Sequence, residues 1–152
     1  MNDINMPDQD TNELSLRLER RINAPVEKAY AAWLKPETLM RFMNNCEGIG
    51  LTKAETDPRV GGRFLLIMTA GDQKLPHSGT YLELTPHSRI RFTWESEHSA
   101  VQENSEVTLT FTPDGDATLL NLTHVRFANE AGRDQHIMGW TIILTALTST
   151  AL

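Results

Sequence analysis

The chain closes on Arg133-Asp134-Gln135-His136-Ile137-Met138-Gly139-Trp140-Thr141-Ile142-Ile143-Leu144-Thr145-Ala146-Leu147-Thr148-Ser149-Thr150-Ala151-Leu152. Ile137, Trp140, Leu144, Leu147 and Ala151 recur at helical spacing and make one apolar stripe. No Lys, Arg, Asp or Glu follows Asp134, and threonines stand where a surface helix ordinarily carries charge. The spacing predicts a helix gripped by a curved sheet, its back near a partner, a ligand or weakly polar surface. Local propensity pulls the other way. Thr and Ile are β-branched and lose rotamer freedom in a helix, so Thr141 to Thr150 is ambiguous with a strand by propensity alone. Packing has to win for the helix to form. Asn129 or Glu130 offers the start, and Gly132 weakens the first turn.

Working outward, the preceding chain alternates with period two. Val107, Leu109 and Phe111 face one way, and Glu106, Thr108 and Thr110 the other. Pro113-Asp114-Gly115-Asp116 reads as a turn, and Leu120, Leu122 and His124 then share a face. Upstream, Ile90, Phe92 and Trp94 line a strand opposite Arg89, Arg91 and Thr93. Gly79 to Leu84 and Phe64 to Met68 are further strands, with Gly71-Asp72 at a hairpin tip. Near the start, Leu14, Leu16, Leu18 and Ile22 alternate with polar residues, and Arg20 interrupts the apolar face. Pro25, with Glu27 two residues on, and Pro36, followed by Glu37, start two short helices. The count is one strand, two helices, six strands and a long helix. Short turns join the six strands, so the sheet is expected to be an antiparallel meander with one solvated face. The expected class is α+β, with the last helix covering the other face.

A chain of 152 residues fits one domain and buries roughly 70% of its unfolded surface without staples. Residues 1–11 are polar and acidic and read as a disordered tail, leaving 12–152 as the domain. A net charge of −6 with no clustered basic face argues against nucleic acid. The N-terminus lacks a basic region and an apolar core, so it is not a signal peptide. Phe64 to Met68 is too short to span a bilayer, and threonines, Gln135 and His136 argue against a span in the last helix. The one cysteine, Cys46, permits no internal disulfide, and the protein is read as cytoplasmic.

A resemblance emerges from several segments taken together. They are Arg20-Arg21-Ile22-Asn23-Ala24-Pro25-Val26-Glu27-Lys28-Ala29-Tyr30, Asp57-Pro58-Arg59-Val60-Gly61-Gly62-Arg63-Phe64 and Gly79-Thr80-Tyr81-Leu82-Glu83. Arg89-Ile90-Arg91-Phe92-Thr93-Trp94, Leu120-Asn121-Leu122-Thr123-His124 and Gly139-Trp140 complete the set. In order and spacing they resemble the domain named for activators of the heat-shock protein 90 ATPase, within the START-like (SRPBCC) helix-grip superfamily. The resemblance covers nearly all of Leu14 to Leu152. It implies a helix-grip fold, with a seven-stranded sheet curled around the last helix, two short helices after the first strand, and a cavity between sheet and helix. Where the family often has a small residue after Val125 this chain has Arg126, which is expected to narrow one cavity mouth.

The candidate ligand cavity comprises Arg20, Phe64, Met68, Tyr81, Glu83, Phe92, Trp94, Phe111, His124, Trp140 and Leu144. His124 is a ligand contact or general base, or else a buried histidine bonded to a neighbouring element. The second is favoured because a lone histidine lacks the partners a mechanism needs. Arg20 and Glu83 either anchor a polar ligand end or pair structurally at the rim. Asp57, Arg59, Gly61 and Gly62 are read as a bend in the sheet, not a phosphate loop, because no helix start follows. No catalytic set, metal-ligand spacing or cofactor motif is present. The expected function is non-catalytic binding of a small apolar molecule. A chaperone partner, with stimulation of a heat-shock protein 90 ATPase, and a cavity-based cyclase or hydrolase are the alternatives. Homodimerisation is expected from the uncharged back of the last helix.

Overall fold

The computed structural model describes residues 14–46, 48–97 and 101–152. The expected tail, residues 1–11, lies outside them. Strand β1 (Ser15–Ile22) is followed by helices α1 (Val26–Ala32) and α2 (Pro36–Met43). Then come β2 (Gly50–Thr56), β3 (Arg63–Ala70), β4 (Gln73–Thr85), β5 (Arg89–Thr93), β6 (Val101–Asp114) and β7 (Ala117–Phe127). Helix α3 (Glu130–Thr148) closes the chain. The seven strands form one sheet in the order β1-β7-β6-β5-β4-β3-β2, every neighbouring pair antiparallel. The meander β2 to β7 needs only short turns, and β1 closes the far edge against β7.

Alternation decides the faces. Val107, Leu109, Phe111, Leu120, Leu122 and Ile90 are buried on the inner side. The outer side carries Arg91, which donates to Glu106 at 2.9 Å and to Glu83 at 3.4 Å. Arg89 adds a 3.2 Å ion pair to the same Glu83. Burying the apolar row while the charged row stays in water supplies the main driving force, about 25 cal/mol per Å² of apolar area.

Glu83 is therefore not a cavity residue. Counting by twos from the inward Tyr81 would turn it in, but the register shifts between Tyr81↔Phe92 and Glu83↔Arg91. The extra residue, Leu82, makes a bulge, and everything after it changes sides. Thr85, Arg91 and Arg89 then hold the Glu83 carboxyl below its ordinary range. Arg126 is also placed away from a cavity mouth. It adopts φ 72°, donates to the Asn104 carbonyl at 2.9 Å and lies 3.9 Å from the outward Glu106.

The sheet bends where β4 passes from β3 to β5. Thr80 N donates to the Thr93 hydroxyl at 2.8 Å in place of a backbone carbonyl. A Cβ on Gly79 would fall 1.9 Å from the Thr93 carbonyl and 2.6 Å from the Phe64 ring, so only glycine lets these backbones meet. The Asp57–Arg63 connection reinforces the bend. Gly61 N donates to Tyr81 O, and Tyr81 N returns a bond to Gly62 O, both at 2.9 Å.

The closing segment is a helix despite its β-branched residues. Asn129 caps it, its side-chain oxygen accepting from Gly132 N at 2.7 Å. Trp140, Ile143, Leu144 and Leu147 are buried against the sheet, while Ile137 is half-buried and Ala151 lies beyond the helix end. The hydroxyls at its end have a local use. Thr148, Ser149 and Thr150 donate to the carbonyls of Thr145 and Ala146, which also accept from the Ser149 backbone N–H at the helix end. Helix α2 flanks its back. The Cys46 sulfur sits 3.9 Å from the Ile142 carbonyl, and Arg41 holds the Ala151 carbonyl at 2.9 Å. Part of the uncharged back that suggested a homodimer is thus covered within the chain, though Met138 stays 67% exposed.

Candidate functional site: a cleft at the head of the last helix

Aromatic rings fill most of the space beneath the middle of α3. Phe64 meets Phe92 edge-on at 5.2 Å between centroids, Trp94 lies 5.0 Å from Trp140, and Trp33 lies 6.4 Å from Trp140. What remains is a void of about 20 Å³, walled by Trp33, Phe64, Tyr81, Phe92, Trp94 and Trp140 among others. Such a void holds roughly one water-sized group.

The roomier space lies next to it. A cleft of about 200 Å³ runs between the Gln135-to-Ile143 stretch of α3 and the β3–β4 hairpin. Its walls include Ile49, Met68, Leu75, His136, Gly139 and Ile143. Trp94 and Trp140 line both the cleft and the void, so this indole pair is their shared wall. No Lys, Arg, Asp or Glu lines either space among the described residues. Larger depressions of about 460 and 450 Å³ are walled partly by Glu95, Glu97 and Glu103, or by Glu55, Asp57 and Arg63, and suit polar solutes.

The expected residues divide accordingly. Phe64, Tyr81 and Phe92 face the void, Met68 faces the cleft, and Trp94 and Trp140 face both. Phe111 packs on the Tyr30 ring at 5.6 Å, under α1. Leu144 is fully buried and lines neither space. Arg20 is half-buried, and its guanidinium turns back to the Glu19 carbonyl at 2.7 Å.

His124 sits behind Trp140, fully buried. The Trp140 indole N–H, which can only donate, lies 3.0 Å from Nδ1 of His124. Nδ1 is therefore bare and Nε2 carries the proton, donating to the Ser105 hydroxyl at 2.8 Å. Burial, with smaller contributions from His136 and His77, pushes its pKa down to about 2. A neutral imidazole with both nitrogens engaged has no lone pair left for a substrate. It orders the core and positions Trp140.

Sequence reasoning left Trp33 undivided between core and wall, and missed Leu75, His77, His136 and Gly139. His136, Gly139 and Ile143 follow helical spacing beside Trp140 and were legible as one face. Leu75 and His77 were hidden because β4 begins at Gln73, upstream of Pro76, which looks like a strand breaker. His136 places Nδ1 2.8 Å from the Gly132 carbonyl, which only accepts, so Nε2 offers a lone pair. Burial, opposed by that bond, lowers its pKa.

The family model described as "Activator of Hsp90 ATPase homolog 1-like protein" matches residues 23–151. The chain belongs to this family. Among solved structures, protein CV1439 from Chromobacterium violaceum is 30% identical with a TM-score of 0.80, covering 89% of this chain and 94% of that one. CalU16 from Micromonospora echinospora is 27% identical at a TM-score of 0.66, covering 88% and 73%. PFC0360w, an HSP90 activator from Plasmodium falciparum, is 24% identical at 0.70, covering 87% and 91%. No curated protein matches the chain. The seven-stranded sheet with its long closing helix is the family's helix-grip architecture. No helix among the described residues is long and apolar enough to cross a membrane.

Proposed function

We propose that this protein binds a small apolar molecule in the cleft between α3 and the β3–β4 hairpin, without turning it over. The carrying observation is a space of about 200 Å³ with mostly apolar walls and no Lys, Arg, Asp or Glu among them, beside a core otherwise filled by rings. Roughly 150 Å³ of dry apolar cavity is enough to take up a benzene ring. Binding replaces water against Met68, Leu75 and Ile143, a gain that grows with apolar area. The engaged nitrogens of His124 speak against a cyclase or hydrolase built on that residue.

Titration of isotope-labelled protein with ethylbenzene tests the reading. Saturable amide shifts concentrated at Ala70, Leu75 and Gly139 are expected. No shift, or shifts scattered over the surface, overturns it.

The likeness to an HSP90 activator supports a second reading, in which the chain stimulates a heat-shock protein 90 ATPase. A steady-state ATPase assay with the chaperone decides it. A rise in turnover on adding the protein supports the reading, and an unchanged rate removes it.

A further inference from the structure

We infer that the free edge of β1 docks a second copy of this chain, with the two β1 strands paired antiparallel about Leu18. The sheet has two edges, β1 and β2, and they are finished differently. At β2 the Asn44 side chain closes the ladder, accepting from Leu51 N and donating to Leu51 O, both at 2.8 Å. A register shift between Leu51 and Lys53 breaks that strand's regularity. Such devices keep an edge from pairing. β1 carries neither of them. It pairs with β7 residue for residue from Ser15 to Ile22, without a shift and without proline. The phase of this ladder is set at its start, where Arg126 N donates to Leu14 O at 3.0 Å. Leu16, Leu18, Arg20 and Ile22 therefore turn their main-chain N–H and C=O groups to β7. Ser15, Arg17, Glu19 and Arg21 turn theirs away from the sheet, and all four residues are exposed. The Glu19 carbonyl accepts from the exposed Arg20 guanidinium at 2.7 Å, as an outward-facing group can. No strand among the described residues pairs with this side of β1.

Charge selects the occupant. A two-fold axis across the edge pairs β1 with itself, antiparallel. Centred on Leu18, the pairing sets Arg17 of each copy opposite Glu19 of the other, and Ser15 opposite Arg21. Every outward main-chain group from Ser15 to Arg21 then has a partner, the Arg17 N–H replacing Arg20 at the Glu19 carbonyl. Centring on Arg17, Glu19 or Arg20 sets that residue against its own like charge, which is unfavourable. Centring on Leu16 leaves Glu19 and Arg21 beyond the overlap. The two side chains that decide the register are already held on the outer face. Asn121 accepts from Arg17 at 3.3 Å and donates to Glu19 at 3.1 Å, and neither charge is committed to an ion pair among the described residues. Arg21 is paired with Asp114 at 3.0 Å. On the inner face the half-buried Leu18 meets its own copy, which removes apolar surface from water. The same axis keeps both inner faces on one side. Helix α3, which packs against β1, thus comes to the side of its counterpart with no charged residue after Asp134.

The test is sedimentation of the full chain over a dilution series, with amide hydrogen exchange read alongside. Wild type is expected to pass from monomer to dimer as concentration rises, and the Arg17 and Glu19 amides to exchange more slowly in the dimer. Arg17→Glu and Glu19→Arg each weaken the dimer at least about tenfold, because each sets like charges opposite at both ends of the pairing. Mixed in equal amounts, the two single variants associate with each other, since each supplies the charge that the other lacks. The double variant Arg17→Glu, Glu19→Arg pairs with itself again. A wild-type chain that stays monomeric up to about 1 mM overturns the inference. A dimer that neither single variant weakens overturns it equally, as do single variants that fail to recover on mixing. The exchange of Arg17 and Glu19 is read on the unaltered chain, so a variant that does not fold leaves the test intact.

Discussion

At the scale of single residues, Trp140, His124 and Ser105 form a relay whose direction is set at one atom, because an indole nitrogen has only a proton to give. Ser105→Ala removes the acceptor of a buried N–H. Urea denaturation is expected to show a loss of about 1–3 kcal/mol; a change below about 0.5 kcal/mol would mean that the bond is not made. The same imidazole governs the response to acid. Its folded pKa of about 2 lies below its ordinary 6.5, so between these values the unfolded chain binds the extra proton. The contribution is complete above about pH 6.5 and declines as pH falls towards 2. The slope is about 1.4 kcal/mol per pH unit once pH is well below 6.5. His136, shifted the same way by burial, steepens it. Denaturant midpoints at pH 7.5, 6 and 5 check this, and a flat profile contradicts it. The inward aim of His124 was legible from its alternation with Leu120 and Leu122. Its partners were not, because β6, β7 and α3 meet only in the folded state.

Elements were readable wherever a period ran uninterrupted. Arg89–Thr93, Glu106–Phe111 and Leu120–His124 follow the two-residue alternation, and α3 follows the helical one. Legibility failed at local departures from a period. The Leu82 bulge reverses β4 and sends Glu83 outward, and nothing in Tyr81-Leu82-Glu83-Leu84 marks which residue is extra. Pro76 concealed the first half of β4, and with it the hairpin side of the cleft. The threonine-rich end of α3 looked ambiguous because propensity counts β-branching as a loss, whereas here hydroxyls close the last turn and the ring stripe packs on the sheet. The helix start carries a checkable energy. Asn129→Ala leaves Gly132 N without its side-chain acceptor. Unfolding measurements are expected to show about 1 kcal/mol of destabilisation, while Asn129→Ser stays within a few tenths of wild type.

For the molecule as a whole, the sheet bends at Gly79 and the rings from β3, β4, β5, α1 and α3 converge beneath the closing helix. The sequence pointed to a cavity between sheet and helix but could not divide core from wall, since both are made of the same residue types. In the fold the space behind Trp140 is nearly closed, at about 20 Å³, and the open space lies between α3 and the β3–β4 hairpin. One position separates that cleft from everything around it. Gly139 lines the cleft, lies in helical backbone, and a Cβ there meets no atom within 4 Å. A larger side chain at this point occupies the space without disturbing the core, and replacing a helical glycine favours the helix by up to about 1 kcal/mol. The decisive measurement is ethylbenzene affinity for wild type and Gly139→Leu, taken with their melting temperatures. The account predicts saturable binding to wild type, a loss of at least about tenfold in the variant, and a melting temperature no lower than wild type. Equal affinity in a variant that is as stable as wild type would place any bound molecule elsewhere and contradict the account.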